Sequence, residues 1–161
     1  MINDFITEYK SYKKLGQKTF DQLSDEELNI TGGADNNSVA MIVRHITGNL
    51  ISRFTDFLTS DGEKPWRNRD SEFIEQSYSR SQIQEMWDKA WSLLETQLNA
   101  LQESDLQKEI QIRNESMTVH RALCRSLAHT SMHVGQIVLM GRVIRKENWQ
   151  WLTIPKKKPD V

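Results

Sequence analysis

With 161 residues, 37% hydrophobic and 27% charged, the chain has enough apolar material for one sizeable core and too much of it for disorder. Lys plus Arg number 21 against 22 Asp plus Glu, a formal charge of −1 that excludes the broad basic footprint of a nucleic-acid binder. No apolar run is long enough for a membrane span, and the single cysteine, Cys124, rules out an internal disulfide.

From Phe5 through Ile6, Tyr9, Tyr12 and Leu15 the apolar residues recur at threes and fours, which predicts an amphipathic helix ending before "LSDEEL". "TGGADNN" is turn material, and Asn37 or Ser38 can cap a second helix. Its apolar side carries Val39, Ile42, Val43, Ile46, Leu50 and Phe57, and it should stop near Ser60. "SDGEKPWRNRDSEF" lacks periodicity and reads as a long crossing connection. Ser81 with Gln84 forms a capping-box pattern opening a third helix, with Ile83, Met86, Trp87, Trp91, Leu94, Leu98 and Leu101 inward. Thr118 can cap a fourth helix running to about Lys146.

Trp87 and Trp91 sit at core spacing, whereas Trp66, Trp149 and Trp151 fall near loops or the end, where they would cover the helices or line a dimer contact. "LQKEIQIR" could pair briefly as a strand, but four long helices give an all-α expectation: a four-helix bundle with a long crossover connection, one domain over 1–161. The start "MINDFITEYKSYKKLG" has no secretory pattern, so the cytoplasm is the expected compartment, and the basic "PKKKPDV" reads as a solvated end.

The four histidines carry the functional signal. A helix advances about 100° per residue, so His129 and His133 share one face, with Cβ atoms roughly 5–6 Å apart. His120 lies nine residues before His129, half a turn away, and Cys124 also falls off the shared face, as a packed small residue would. His45, beside the apolar arc of the second helix, is the one histidine left to complete a set. Spacing alone leaves two readings: a three-imidazole metal site with open coordination positions, or hydrogen-bonded core histidines. Asn49 and Arg53 continue the stripe from His45 at steps of four. Arg53 requires a partner, either an anionic substrate or a carboxylate of the crossing loop such as Asp70 or Glu72. Asp56, on the side of His45, could orient its second ring nitrogen or act as an exposed cap.

"RHITGNLISRFTDFL" followed by "LAHTSMHVGQI" resembles the DinB-like superfamily of bundle proteins, and "TDFLTSDGEKPWRNRDSEF" and "WQWLTIP" extend the likeness over nearly the whole chain. In that superfamily one histidine of the second helix and an H-x-x-x-H pair of the last long helix hold a divalent metal, most often zinc or nickel. The resemblance therefore implies His45, His129 and His133 as metal ligands, with Gly135 and Gln136 completing the "HVGQ" end of the motif. Characterised relatives include bacillithiol S-transferases and a mycothiol-dependent maleylpyruvate isomerase, which implies a metal-dependent enzyme activating a low-molecular-weight thiol or water on a small-molecule substrate. It also implies a homodimer. The alternative is a non-catalytic, metal-stabilised binding or stress-response protein. "HTSMH" lacks the glutamate that an H-E-x-x-H metalloprotease uses as its base, and no basic recognition helix supports DNA binding.

Overall fold

The computed structural model describes residues 1–33 and 36–154, so the basic end "PKKKPDV" lies outside the described residues. Among the described residues five α-helices and one small sheet follow in chain order: α1 (Ile2–Phe20), α2 (Asp25–Leu28), α3 (Val39–Phe54), α4 (Arg80–Ala100), β1 (Glu109–Ile112), β2 (Glu115–Thr118) and α5 (Val119–Arg145). The long helices α3 and α4 pack together, α1 packs on α5 and α4, and α5 also lies against α3. A continuous cluster of buried side chains runs through all of these elements, with Trp87 and Trp91 fully buried at its centre, as their spacing predicted. Gly16 lets α1 approach α4: a Cβ there would lie 2.7 Å from the Trp87 ring.

The expected boundaries shift in three places. "LSDEEL" contains the short helix α2, whose capping box pairs Ser24 with Glu27, a start signal that the sequence reading passed over. Ser38 caps α3 by accepting from the Met41 amide, but α3 stops at Phe54 instead of near Ser60. Asp56 takes a positive φ of 49°, incompatible with a continuing right-handed helix, and Phe57 still reaches the core from the turn that follows. The third boundary is the start of α4, where Ser79 and Gln82 form the capping box in place of Ser81 and Gln84. "SRSQIQ" holds two overlapping Ser-x-x-Gln patterns, and Arg80 settles the choice by donating to the carbonyls of Phe20, Asp21 and Leu23. That contact satisfies orphan carbonyls at the end of α1 and in the turn beyond it.

The described residues are mostly helical, and to the helices is added one antiparallel hairpin, β1–β2, in which Glu109 faces Thr118 and Ile112 faces Glu115. β1 falls within "LQKEIQIR" and alternates, with Ile110 and Ile112 buried. Its turn residues Arg113 and Asn114 both have positive φ, the pattern of a tight two-residue hairpin turn. Arg-Asn lacks the glycine such turns favour; the compensation comes from Asp61, whose two carboxylate oxygens accept from the Arg113 and Asn114 amides at 2.9 and 2.8 Å. The crossing connection is thereby tied to the hairpin, and Gly62 donates to the Gln111 carbonyl beside it. Trp149 is buried near the end of α5, while Trp66 and Trp151 stay largely exposed. No helix among the described residues is long and apolar enough to cross a membrane.

Candidate metal centre

The α3 stripe and the α5 pair meet. His45 is 4% exposed, and its Nε2 lies 3.1 Å from His129 Nε2, which lies 3.2 Å from His133 Nε2. One nitrogen from each residue falls within 4.8 Å of the others, so the three histidines could hold a metal ion. Four nitrogens placed tetrahedrally at 2.0–2.1 Å from one ion are separated by roughly 3.3–3.4 Å, within a few tenths of an ångström of the two close separations.

Hydrogen bonds at the outer ring nitrogens orient two of the rings. His45 Nδ1 is 2.8 Å from Glu72 Oε2, and His133 Nδ1 is 2.7 Å from Gln136 Oε1. Both partners are acceptors, so both Nδ1 atoms carry the hydrogen and both Nε2 atoms direct lone pairs toward His129. A single hydrogen on His129 Nε2 can serve one of them; a shared cation serves all three. His129 Nδ1 is buried with no hydrogen-bond partner among the described residues.

His129 and His133 are held toward the neutral form, as ligation requires. Burial pushes the pKa of His129 down to about 3, and repulsion between its charged form and His133, His45, Arg67 and Arg53 adds to the decrease. Burial also lowers His133, against the opposing bond to Gln136, with His45 and Arg69 adding to the decrease. For Glu72 burial works upward, but the hydrogen bonds from His45 and Arg67 outweigh it and hold the carboxylate below its ordinary range.

Glu72 is itself fixed from two sides. Arg67 grips it through Nε at 2.8 Å and Nη2 at 2.9 Å, a fork in which both side chains are almost wholly buried. Gly48, one turn after His45 on α3, makes room: a Cβ at Gly48 would overlap Glu72 Oε1. The sequence reading named Glu72 only as an Arg53 partner and missed Arg67 and Gly48. A glycine inside a helix costs about 1 kcal/mol relative to alanine, and "HITGNL" carried that signal.

The other expected residues divide. Arg53 pairs with Glu63 of the crossing connection at 2.9 Å and donates to the Gly62 carbonyl, so its partner is a loop carboxylate other than Asp70 or Glu72. Asn49 and Arg53 line a pocket of about 390 Å³ opening on the three histidines, and Gln136 meets His133 from outside it. Asp56 is exposed, and Glu72 takes the place expected for it at His45, because α3 ends before Asp56 and the turn carries its side chain away. His120 stands apart, its ring edge-on to Phe5, and Cys124 is exposed near it instead of packed.

No curated protein and no solved structure matches the chain. A family model does match, over residues 1–158, and on that match the chain belongs to the family described as "Protein of unknown function (DUF1572)".

Proposed function

We propose that this protein is a DinB-like four-helix bundle that binds a divalent metal, zinc or nickel, through His45, His129 and His133 and works as a metal-dependent enzyme on a small-molecule substrate. The observation that carries the reading is the convergence of the three Nε2 atoms, two of them oriented by acceptors at the opposite ring nitrogen. A dication there would supply Lewis acidity, bringing the pKa of a low-molecular-weight thiol or of water toward neutrality. The chain contributes the rest. Glu72 and Gln136 keep His45 and His133 in the ligating tautomer, Asn49 offers an amide to the pocket, and Phe54, Phe57 and Phe73 exclude water from one side of it.

Metal content by elemental analysis of tag-free protein, prepared without added nickel, tests the reading. About one equivalent in the wild type and its loss in His129→Ala are expected. A metal-free wild type that stays folded and takes up neither zinc nor nickel refutes it. Titrating a low-molecular-weight thiol into cobalt-substituted protein then separates an enzyme from a metal-stabilised binding protein: a perturbed cobalt spectrum marks an exchangeable position, and an unchanged one favours the second. A homodimer in the cytoplasm completes the proposal. The exposed Met132, Leu139 and Val143 of α5 offer a second copy an apolar row, and the single cysteine suits a reducing compartment. Light scattering tests the dimer.

A further inference from the structure

Five arginines line the pocket beside the histidines: Arg53, Arg67, Arg69, Arg113 and Arg125, with no Asp or Glu among the lining residues. Two carboxylates behind the wall engage three of them, since Glu63 accepts from both Arg53 and Arg113 at 2.9 Å and Glu72 takes Arg67. Among the described residues the carboxylates nearest Arg69 and Arg125 are loose surface partners, Asp70 at 3.5 Å and Glu115 at 4.0 Å, and Arg69 also lies over the Phe73 ring. The pocket therefore keeps an excess of positive charge in a partly desolvated space. Low-dielectric walls strengthen such a field toward any anion that enters.

Arg67 gives the excess a focus. Its side chain is 3% exposed, and its fork with Glu72 uses Nε and Nη2 only. The remaining nitrogen, Nη1, is buried and has no hydrogen-bond partner among the described residues. Holding Glu72 against His45 explains two of the three guanidinium nitrogens and leaves the third in need of an acceptor. Between and beside the arginines the lining is apolar, formed by Phe54, Phe57, Phe73, Ile112 and Met132, with the Arg69 guanidinium 5.2 Å from the centre of the Phe73 ring.

We propose that the pocket contains an anion subsite centred on Arg67, and that its ligand is a small carboxylate with an apolar body, the carboxylate on the arginines and the body on the aromatic wall. A volume of about 390 Å³ falls in the range of small-molecule pockets. The apolar wall favours a carboxylic acid over a strongly hydrated phosphate. The subsite stands beside the metal reading and does not rest on it, because the arginines would bind an anion whether or not the histidines hold a metal.

Calorimetric titration of chelator-treated full-length protein with benzoate, benzamide and inorganic phosphate at low ionic strength tests the subsite. Benzoate should bind and benzamide, its neutral isostere, at least ~10-fold more weakly, as expected for loss of a charge-assisted fork. Arg67→Lys keeps a cation for Glu72 but removes the planar third donor, and should weaken benzoate ~10-fold or more with circular dichroism unchanged. If that variant does not fold, the exposed Arg125→Gln should still weaken benzoate by a factor of about two or more through the lost field. Equal binding of benzoate and benzamide, no binding of either, or an Arg67→Lys protein that binds as the wild type does would overturn the subsite. Tighter binding of phosphate would overturn the carboxylate assignment. Benzoate binding seen only with zinc present and lost in His129→Ala would assign the carboxylate to the metal and overturn it too. Intact benzoate binding in a protein that takes up no zinc would sink the metal reading alone.

Discussion

Replacing Glu72 separates its two tasks, holding Arg67 and orienting His45. Its carboxylate accepts three hydrogen bonds, from His45 Nδ1 at 2.8 Å and from Arg67 Nε and Nη2 at 2.8 and 2.9 Å, with all three side chains at most 7% exposed. Glu72→Ala leaves a buried guanidinium without its counter-charge, a loss of about 3–5 kcal/mol when one partner of a buried pair is removed. For a chain of this length each kcal/mol moves Tm by roughly 2–4 °C, so the metal-free variant should melt roughly 6–20 °C below the wild type. Glu72→Gln keeps the shape but places an amide NH₂ where one of the donors now points. If His45 answers by moving its hydrogen to Nε2, it ceases to be a ligand, and zinc affinity should fall roughly 10–100-fold. Thermal unfolding in excess chelator reads the first effect, and competition with a chromophoric zinc chelator reads the second. A Glu72→Ala protein melting within about 2 °C of the wild type would refute the buried-pair reasoning. Unchanged zinc affinity in Glu72→Gln would refute the orienting role.

Three further outcomes can be checked by thermal or urea unfolding. Gly48→Ala should lower Tm although alanine favours helix by about 1 kcal/mol, because its Cβ overlaps Glu72 Oε1 and overpacking costs about 1–3 kcal/mol; a rise in Tm would show that the carboxylate has room. Asp61→Ala should destabilise by about 1–3 kcal/mol in urea denaturation, since the Arg113 and Asn114 amides lose their acceptor in a left-handed turn; an unchanged midpoint would show that the turn holds by itself. The chelator-treated protein should lose stability as pH falls from 6.5 toward 3: the unfolded chain takes up a proton at His129 near its ordinary value of 6.5, while the folded chain resists it until about 3. His133 and Glu72 are lowered too and act in the same direction, so equal urea midpoints at pH 7.5 and 5 would contradict this account.

Much of the helical frame was legible because helix period, caps and aromatic spacing are local signals. Trp87, Trp91, Ser38 and Thr118 all stand where those signals put them. His129 and His133 are legible for the same reason, four residues apart on one helix. The misreadings share a cause. Ending α3 at Phe54 and closing the β1–β2 turn depend on backbone angles that no residue type announces, and bringing Glu72 onto His45 depends on a partner on another element. Asp61 holding the Arg113–Asn114 turn across about fifty residues leaves no trace in either segment alone.

The crossing connection also explains why the three histidines are more than three helical side chains that meet. Helices α3 and α5 alone would bring together imidazoles with no acceptor at His45 Nδ1 and no wall on the open side. Arg67, Glu72 and Phe73 supply that acceptor, its counter-charge and an aromatic ring 4.7 Å from His45, all within seven residues of one connection. Asp61 and Glu63, just before them, fasten the hairpin that contributes Ile112 and Arg113 to the pocket. Buried ionisable side chains in a connection are expensive unless paired, and here Glu72 pairs both with Arg67 and with His45. A segment selected only to join two helices could have spanned the same distance with neutral residues. The charge and burial placed there orient His45 through Glu72 and enclose the histidine cluster.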